Sequence, residues 1–495
     1  MSGTEHALST DQPLGSGRLG SAGATVEVGS RSPAHRLRLD VINLAWPVVI
    51  EQLLATSVGI ADVAIAGRLS PSALAGAGVG LQILFIAING LSAFSIGTTV
   101  AVAQSVGARR PAMAGNAMRQ GVSLGILCSV AVALPALLFT GPLIAFGGGT
   151  GEVAIAGEQF LNVAVLGIVP LTVQLAIGGA MRGAGDSRTP MIAGALVNAV
   201  NIAAAYALAF GAWGAPNLGI AGTAWGANIA RIVGLVFLFA VLFRKAAPAG
   251  IRLGRLAPSG TTGWLPDLSM ARMFVRLSLP PVIEQVSLAL MLLLFGRILL
   301  ALGPLVFAGW RITFSTGLVT FLPAIGLATA TTALVGQAVG AKDHDRVGEI
   351  TKFSLVLGFT WMVASAILVA IFAPTVASFF TTDQALIGIT AGGLYGLVPW
   401  LPVFAVNQMI WGALRGTGDM RFQMWVGIGQ TWCITLPASW CFSTYFGWGL
   451  MGGVGGFLAG LLVSGGCAVW RYRQRRWTTQ SVLPVLGVEG FVSAH

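Results

Sequence analysis

Charge is what this sequence has least of: 9% of its 495 residues are Asp, Glu, Lys or Arg, against roughly a quarter in an ordinary soluble domain. That scarcity excludes a water-facing globular surface over most of the chain. Residues 69–108, 159–181, 189–230, 312–341, 353–382, 384–414 and 422–470 carry no charge at all. Each run exceeds the ~20 apolar residues that cross a bilayer as a helix. Histidine is nearly absent, and His6, His35, His344 and His495 all fall outside the apolar runs, so a proton relay inside the membrane must use carboxylates. Cysteine is scarce too. Cys128, Cys433, Cys441 and Cys467 sit inside apolar segments with no metal-ligand spacing, which leaves them as small core residues and implies neither a disulfide framework nor a bound metal.

What is present is a series of apolar spans near 41–67, 72–106, 114–139, 157–180, 189–210, 219–243, 274–301, 304–339, 349–372, 384–412, 422–446 and 450–470. They predict an all-α membrane protein of twelve transmembrane helices. The formal net charge of +11 does not point to nucleic acid, because the basic residues are dispersed through short loops. Every second loop is basic: Arg109 and Arg110, then Arg182 and Arg188, Arg244 to Arg276, Lys342 and Arg346, Arg415 and Arg421, and Arg471 to Arg476. Positive residues in short loops stay on the cytoplasmic side, so both termini are expected there. The polar segment 1–40 reads as a disordered cytosolic tail, without a signal peptide, and 474–495 as a second tail.

The chain also repeats itself. A shift of 233 residues aligns Pro47-Val48-Val49-Ile50-Glu51-Gln52 with Pro280-Pro281-Val282-Ile283-Glu284-Gln285. The same shift pairs Thr98-Thr99 with Thr331-Thr332, Gln104 with Gln337, and Arg182-Gly183-Ala184-Gly185-Asp186 with Arg415-Gly416-Thr417-Gly418-Asp419. Apolar composition alone does not produce Glu-Gln and Arg-Gly-x-Gly-Asp matches at one offset. Residues 41–243 and 274–473 are therefore expected as two six-helix bundles, with 244–273 as a cytoplasmic linker. Six is even, so the repeats run parallel and place a substrate site between them near the midplane.

Ionisable residues inside the spans cost at least a few kcal/mol and need an explanation. Asp62 and Glu51 lie in the first span, Glu284 and Arg297 in the seventh, Arg311 in the eighth and Arg231 in the sixth. Glu51 and Asp62 share one helical face about 16 Å apart, and Glu284 is the repeat partner of Glu51, whereas Asp62 is matched by Phe295. A carboxylate in a low-dielectric cavity readily takes a proton; with several oxygen neighbours it can hold sodium instead, and the spans do not separate the two. Packing roles stay open beside these: Glu51 and Glu284 as acceptors for a neighbouring helix, Arg297 and Arg311 as snorkelling anchors, Arg231 as a partner of a carboxylate or carbonyl. The Arg-Gly-x-Gly-Asp segments read as turns in which Asp caps the next helix and Arg anchors at the headgroups. Gln174, Asn407, Phe314 and Arg231 are candidate lining residues of the substrate cavity, with Trp310, Phe321, Trp400 and Trp411 as further aromatic candidates.

Taken together, the duplicated halves, the Pro47 to Gly67 segment with its Asp62-x5-Gly67-Arg68 ending, Val102-Ala103-Gln104-x2-Gly107, and the two Arg-Gly-x-Gly-Asp turns resemble the multidrug and toxic compound extrusion (MATE) family over residues 40–473. The resemblance implies V-shaped bundles, alternating access, and export of amphipathic, often cationic compounds against proton or sodium entry. It also implies cation coupling at Asp62, with Asn201 in the same network. The chain departs from the family at Ala205 and Phe404, where branches carry further acids, and Glu284 lies one turn before the usual seventh-helix acid. A lipid-linked precursor flippase is the alternative, and would want a strongly cationic cavity. An enzyme is not expected, since the spans hold no catalytic cluster. Beyond H+ or Na+ no cofactor is implied. The expected partners are a small-molecule substrate and the lipid of a bacterial inner membrane, with the protein working as a monomer.

Overall fold

The computed structural model describes residues 33–244 and 268–475; the expected tails over 1–32 and 476–495, and most of the linker, lie outside the described residues. Proline and glycine punctuate the apolar runs into helices. In the first half these are α1 (Pro33–Leu69), α2 (Pro71–Gly107), α3 (Pro111–Leu138), a short α4 (Thr140–Phe146), α5 (Gly151–Ala164), α6 (Ile168–Gly183), α7 (Arg188–Phe210) and α8 (Ile220–Phe243). A 3₁₀ turn at Val165–Gly167 joins α5 and α6 into one span. The second half contains α9 (Leu268–Leu302), α10 (Pro304–Gly340), α11 (His344–Ser378), α12 (Gln384–Thr417), α13 (Met420–Gly429), α14 (Leu436–Trp440) and α15 (Gly449–Arg473).

Among the described residues, eleven spans are apolar and helical over 23 to 37 residues. The twelfth, over 420–445, is interrupted by π turns at Gln430–Thr435 and Cys441–Tyr445. Pro437 opens α14. Its ring clashes with the carbonyl four residues back and it supplies no N–H, and a wider turn relieves both problems. The repeat-equivalent α7 has no such proline and runs unbroken.

The expected boundary at residue 40 is corrected: 33–40 belong to α1. Leu37, Val41, Leu44 and Ala45 recur at helical spacing and are buried against the second half, which extends the helix beyond the polar-looking segment. The opposite exchange occurs in α9, where Met273, Phe274 and Leu277 are buried in the first half's core. Each half therefore sends the entry of its first helix into the other. At 37 residues, α2 and α10 are about 55 Å long, well beyond the roughly 30 Å hydrocarbon core. Their surplus, residues 98–105 and 330–340, is almost wholly buried where the halves meet, at the end that carries the basic loops.

Candidate functional site

Asp62 sits near the far end of α1 from the basic loops and is 8% exposed. Its Oδ1 accepts a hydrogen bond from Asn201 Nδ2 on α7 at 3.0 Å. Asn198, one turn earlier on α7, is also buried, and the side-chain carbonyl oxygens of both Asn198 and Asn201 have no partner within the protein. An amide oxygen of this kind is able to accept from a protonated carboxyl or to ligate a cation. Arg231 on α8 lies within electrostatic reach of Asp62, without forming an ion pair at 4 Å or less. Its Nη1 donates to Asn228 Oδ1 at 3.3 Å, and Asn228 Nδ2 donates to Val163 O at 2.7 Å. A Cβ at Gly167 would collide with both Asn228 and Arg231. The break in the fourth span thus makes room for the guanidinium against the backbone. Gln174 on α6 completes the cluster by donating to the Arg231 carbonyl.

The site therefore gathers Asp62, Asn201, Arg231 and Gln174 inside the first half, and adds Asn198 and Asn228, which the sequence reading did not single out. Asn407 and Phe314 lie elsewhere. Asn407 is the repeat partner of Gln174 and donates to Ser464 Oγ at 3.0 Å, where Ser464 is the repeat partner of Arg231. Phe314 is 39% exposed beside Trp310 and Phe321 in the second half. Trp310 and Trp411 are buried packing residues, the latter bonded to Ser464 at 3.1 Å.

Glu51 and Glu284 occupy a separate tier toward the basic end. Arg182 of the first Arg-Gly turn donates Nη1 to both oxygens of Glu51 at 2.8 Å, and Nη2 to Ser95 Oγ at 3.0 Å. The expectation that this arginine anchors at the headgroups is corrected: its side chain is 8% exposed and neutralises Glu51. The one-offset match of Glu51 with Glu284 and of Arg182 with Arg415 was the available signal. In the second half the corresponding pair is not closed. Glu284 Oε1 accepts from Gln423 Nε2 at 3.4 Å, whereas Arg415 bonds Trp411 O at 3.3 Å and Gln408 at 3.5 Å. The two aspartates of the turns also diverge. Asp186 accepts from the backbone of Arg188 and Thr189 at 3.0 Å and so caps α7, while Asp419 pairs with Arg471 at 2.7 Å.

Comparison with known proteins decides the family. The MatE family model matches residues 47–207 and again 280–441, the two segments that the internal shift superposes. The chain belongs to the MATE family. This MATE protein is accordingly a multi-pass membrane transporter and not an enzyme. It is 29% identical over 453 residues to a probable multidrug resistance protein NorM of Thermotoga maritima, spanning 90% of this chain and 94% of that one. It is 25% identical to the uncharacterized transporter YisQ of Bacillus subtilis, spanning 90% and 96%. Among solved structures, a MATE protein in the bent conformation shares 21% identity and superposes with a TM-score of 0.81 over 89% of this chain and 97% of that one. An outward-facing MATE transporter shares 23% identity at 0.80, covering 89% and 96%. These structural likenesses establish the fold.

Proposed function

We propose that this MATE transporter exports small amphipathic organic cations from a bacterial cytoplasm, by alternating access, in exchange for protons or sodium ions bound at Asp62. Both termini and the basic loops face the cytoplasm in this reading, in keeping with the positive-inside rule. The supporting observation is the buried Asp62 carboxylate held by Asn201, with the Asn201 amide oxygen on the same side chain and a second buried asparagine, Asn198, one turn away on α7. An ionised Asp62 accepts from Asn201 Nδ2; a protonated one would donate its O–H to an amide oxygen. The same oxygens are suitable ligands for sodium. Either event removes the negative charge that favours a cationic ligand. Glu51 and Glu284 are secondary acids in this scheme, with Glu51 already neutralised by Arg182. Gln174, Arg231, Asn407 and Phe314 serve as polar and aromatic contacts for substrate. The names of relatives such as the Thermotoga maritima protein support the multidrug reading.

A lipid-linked precursor flippase would need several cations converging on a headgroup. Near Asp62 the described residues supply Arg231, and Arg297 and Arg311 are exposed. The decisive experiment is efflux of a fluorescent organic cation from inverted vesicles under separately imposed proton and sodium gradients. Transport driven by one gradient and abolished by Asp62→Asn at unchanged protein level is the expected result. Full transport by Asp62→Asn would sink the reading.

A further inference from the structure

Where the long ends of α2 and α10 cross, the two halves exchange a matched pair of hydrogen bonds. Gln104 of the first half donates Nε2 to Gly416 O of the second at 3.0 Å. Its repeat partner Gln337 donates Nε2 to Gly183 O of the first half at 2.9 Å. Gly183 and Gly416 are the glycines that follow Arg182 and Arg415 in the two Arg-Gly-x-Gly-Asp turns. The backbones between them are in close approach: a Cβ at Gly107 would strike the carbonyl of Gln337, and one at Gly340 the carbonyl of Gln104. Gln104 is fully buried, so its amide lies in a low dielectric where an unmade hydrogen bond is expensive.

We infer that Gln104 and Gln337 form a reciprocal latch that holds the basic end of the transporter closed, and that both bonds must break for the halves to part there. Three features set this contact apart from ordinary helix packing. Both donors cross between halves, so neither bond survives a rigid-body separation. Both acceptors lie one residue from an arginine of the Glu51 and Glu284 tier, so parting the halves tugs on the turn that carries each guanidinium. Within each half, by contrast, Thr99 bonds Gly179 O at 3.0 Å and Thr332 bonds Gly412 O at 2.9 Å. Those intra-half bonds tie each turn-bearing helix to its own bundle, so the turn travels with its half while the latch releases. Gln104 and Gln337 are thus positioning residues of the transport cycle. The inference rests on the exporter reading for the direction of opening, toward the cytoplasm, and not for the latch itself.

The test uses the full chain with its four native cysteines replaced, and with spin labels at Arg110→Cys and Asp345→Cys, exposed positions of the two halves at this end. Distances are measured in lipid nanodiscs. Removing both donors with Gln104→Ala and Gln337→Ala is expected to move the closed-to-open ratio by roughly 5–150-fold, giving a new longer-distance population. Gln104→Met with Gln337→Met keeps the side-chain length and loses the donor, and is expected to shift the distances in the same direction; a purely space-filling role would leave them unchanged. If the double variants fail to fold, Gln104→Met and Gln337→Met made singly must each shift the distances in the same direction by a smaller ratio, since each loses one of the two bonds. Distance distributions identical to the unmodified chain in the folded variants overturn the latch. Longer distances in the variants, together with no gradient-driven efflux by the unmodified chain, would keep the latch and remove the exporter reading.

Discussion

The two halves of this transporter share their joints and differ at their centres. At the joint the pairs match one for one: Thr99 with Thr332, Gln104 with Gln337, Gly183 with Gly416, each making the equivalent bond. At the centre, Asp62 is matched by Phe295 and Arg231 by Ser464. Phe295 is fully buried, with Trp310 and Phe457 each 4.9 Å away edge to face. One half therefore keeps a buried polar cluster where the other has a packed aromatic core. The joint is symmetric, and the pair Asp62 and Arg231 has no charged counterpart at the equivalent positions of the other half.

The largest effect that would break this comparison lies at its centre. Phe295→Ala removes a ring from a dry cluster and should cost about 3–5 kcal/mol of stability. Asp62→Ala removes a carboxylate that nothing neutralises at ion-pair distance, and should leave stability within about 1 kcal/mol while abolishing transport. Thermal unfolding in detergent, read beside vesicle efflux, separates the two. Equal loss of stability at both positions would mean that Asp62 is a packing residue and the halves are not divided in role.

A smaller effect sharpens the contrast in the second tier. Arg182→Gln strands Glu51, and should destabilise by on the order of 2–3 kcal/mol, below the figure for a fully enclosed pair because Glu51 retains 22% exposure. Arg415→Gln breaks long hydrogen bonds to Trp411 and Gln408 and a longer-range attraction to Glu284, and should cost about 1 kcal/mol. Thermal midpoints of the two variants, measured side by side, test the asymmetry. Equal shifts would show that Glu284 and Arg415 are closed as a pair in the membrane.

The sequence carried the fold because its physics is coarse. Apolar runs, basic loops and one repeated offset are long-range patterns, and they place twelve spans and two halves. Asp62 was legible because a charge in a span demands a reason, and Asn201 through the family resemblance. Arg182 was misjudged because a guanidinium at a helix end satisfies the headgroup rule and an ion-pair rule equally well, and only the fold shows that α6 ends inside the protein. Asn198 and Asn228 were invisible, since neutral amides carry no such penalty until their burial is known. Leu37 was assigned to the tail because Arg36, Arg38 and Asp40 outweigh it locally. Its apolar partners belong to the second half, some 300 positions later, and the neighbouring Asp40 likewise meets Arg346 at 3.4 Å.

The smallest expected effect tests the divergence of the two turn aspartates. Asp186 works as a hydrogen-bond acceptor at the start of α7, and asparagine caps a helix about as well as aspartate, so Asp186→Asn should change stability by only a few tenths of a kcal/mol. Asp419 works as a charge against Arg471, which also lies over the Phe422 ring at 4.9 Å. Asp419→Asn removes the charge of this ion pair, and should cost about 1–2 kcal/mol more than the change at 186. Raising the salt concentration should not narrow the gap, because both groups of the pair are largely shielded from solvent. Equal midpoints for the two asparagine variants would mean that both aspartates are caps and that the second turn kept its original role after duplication.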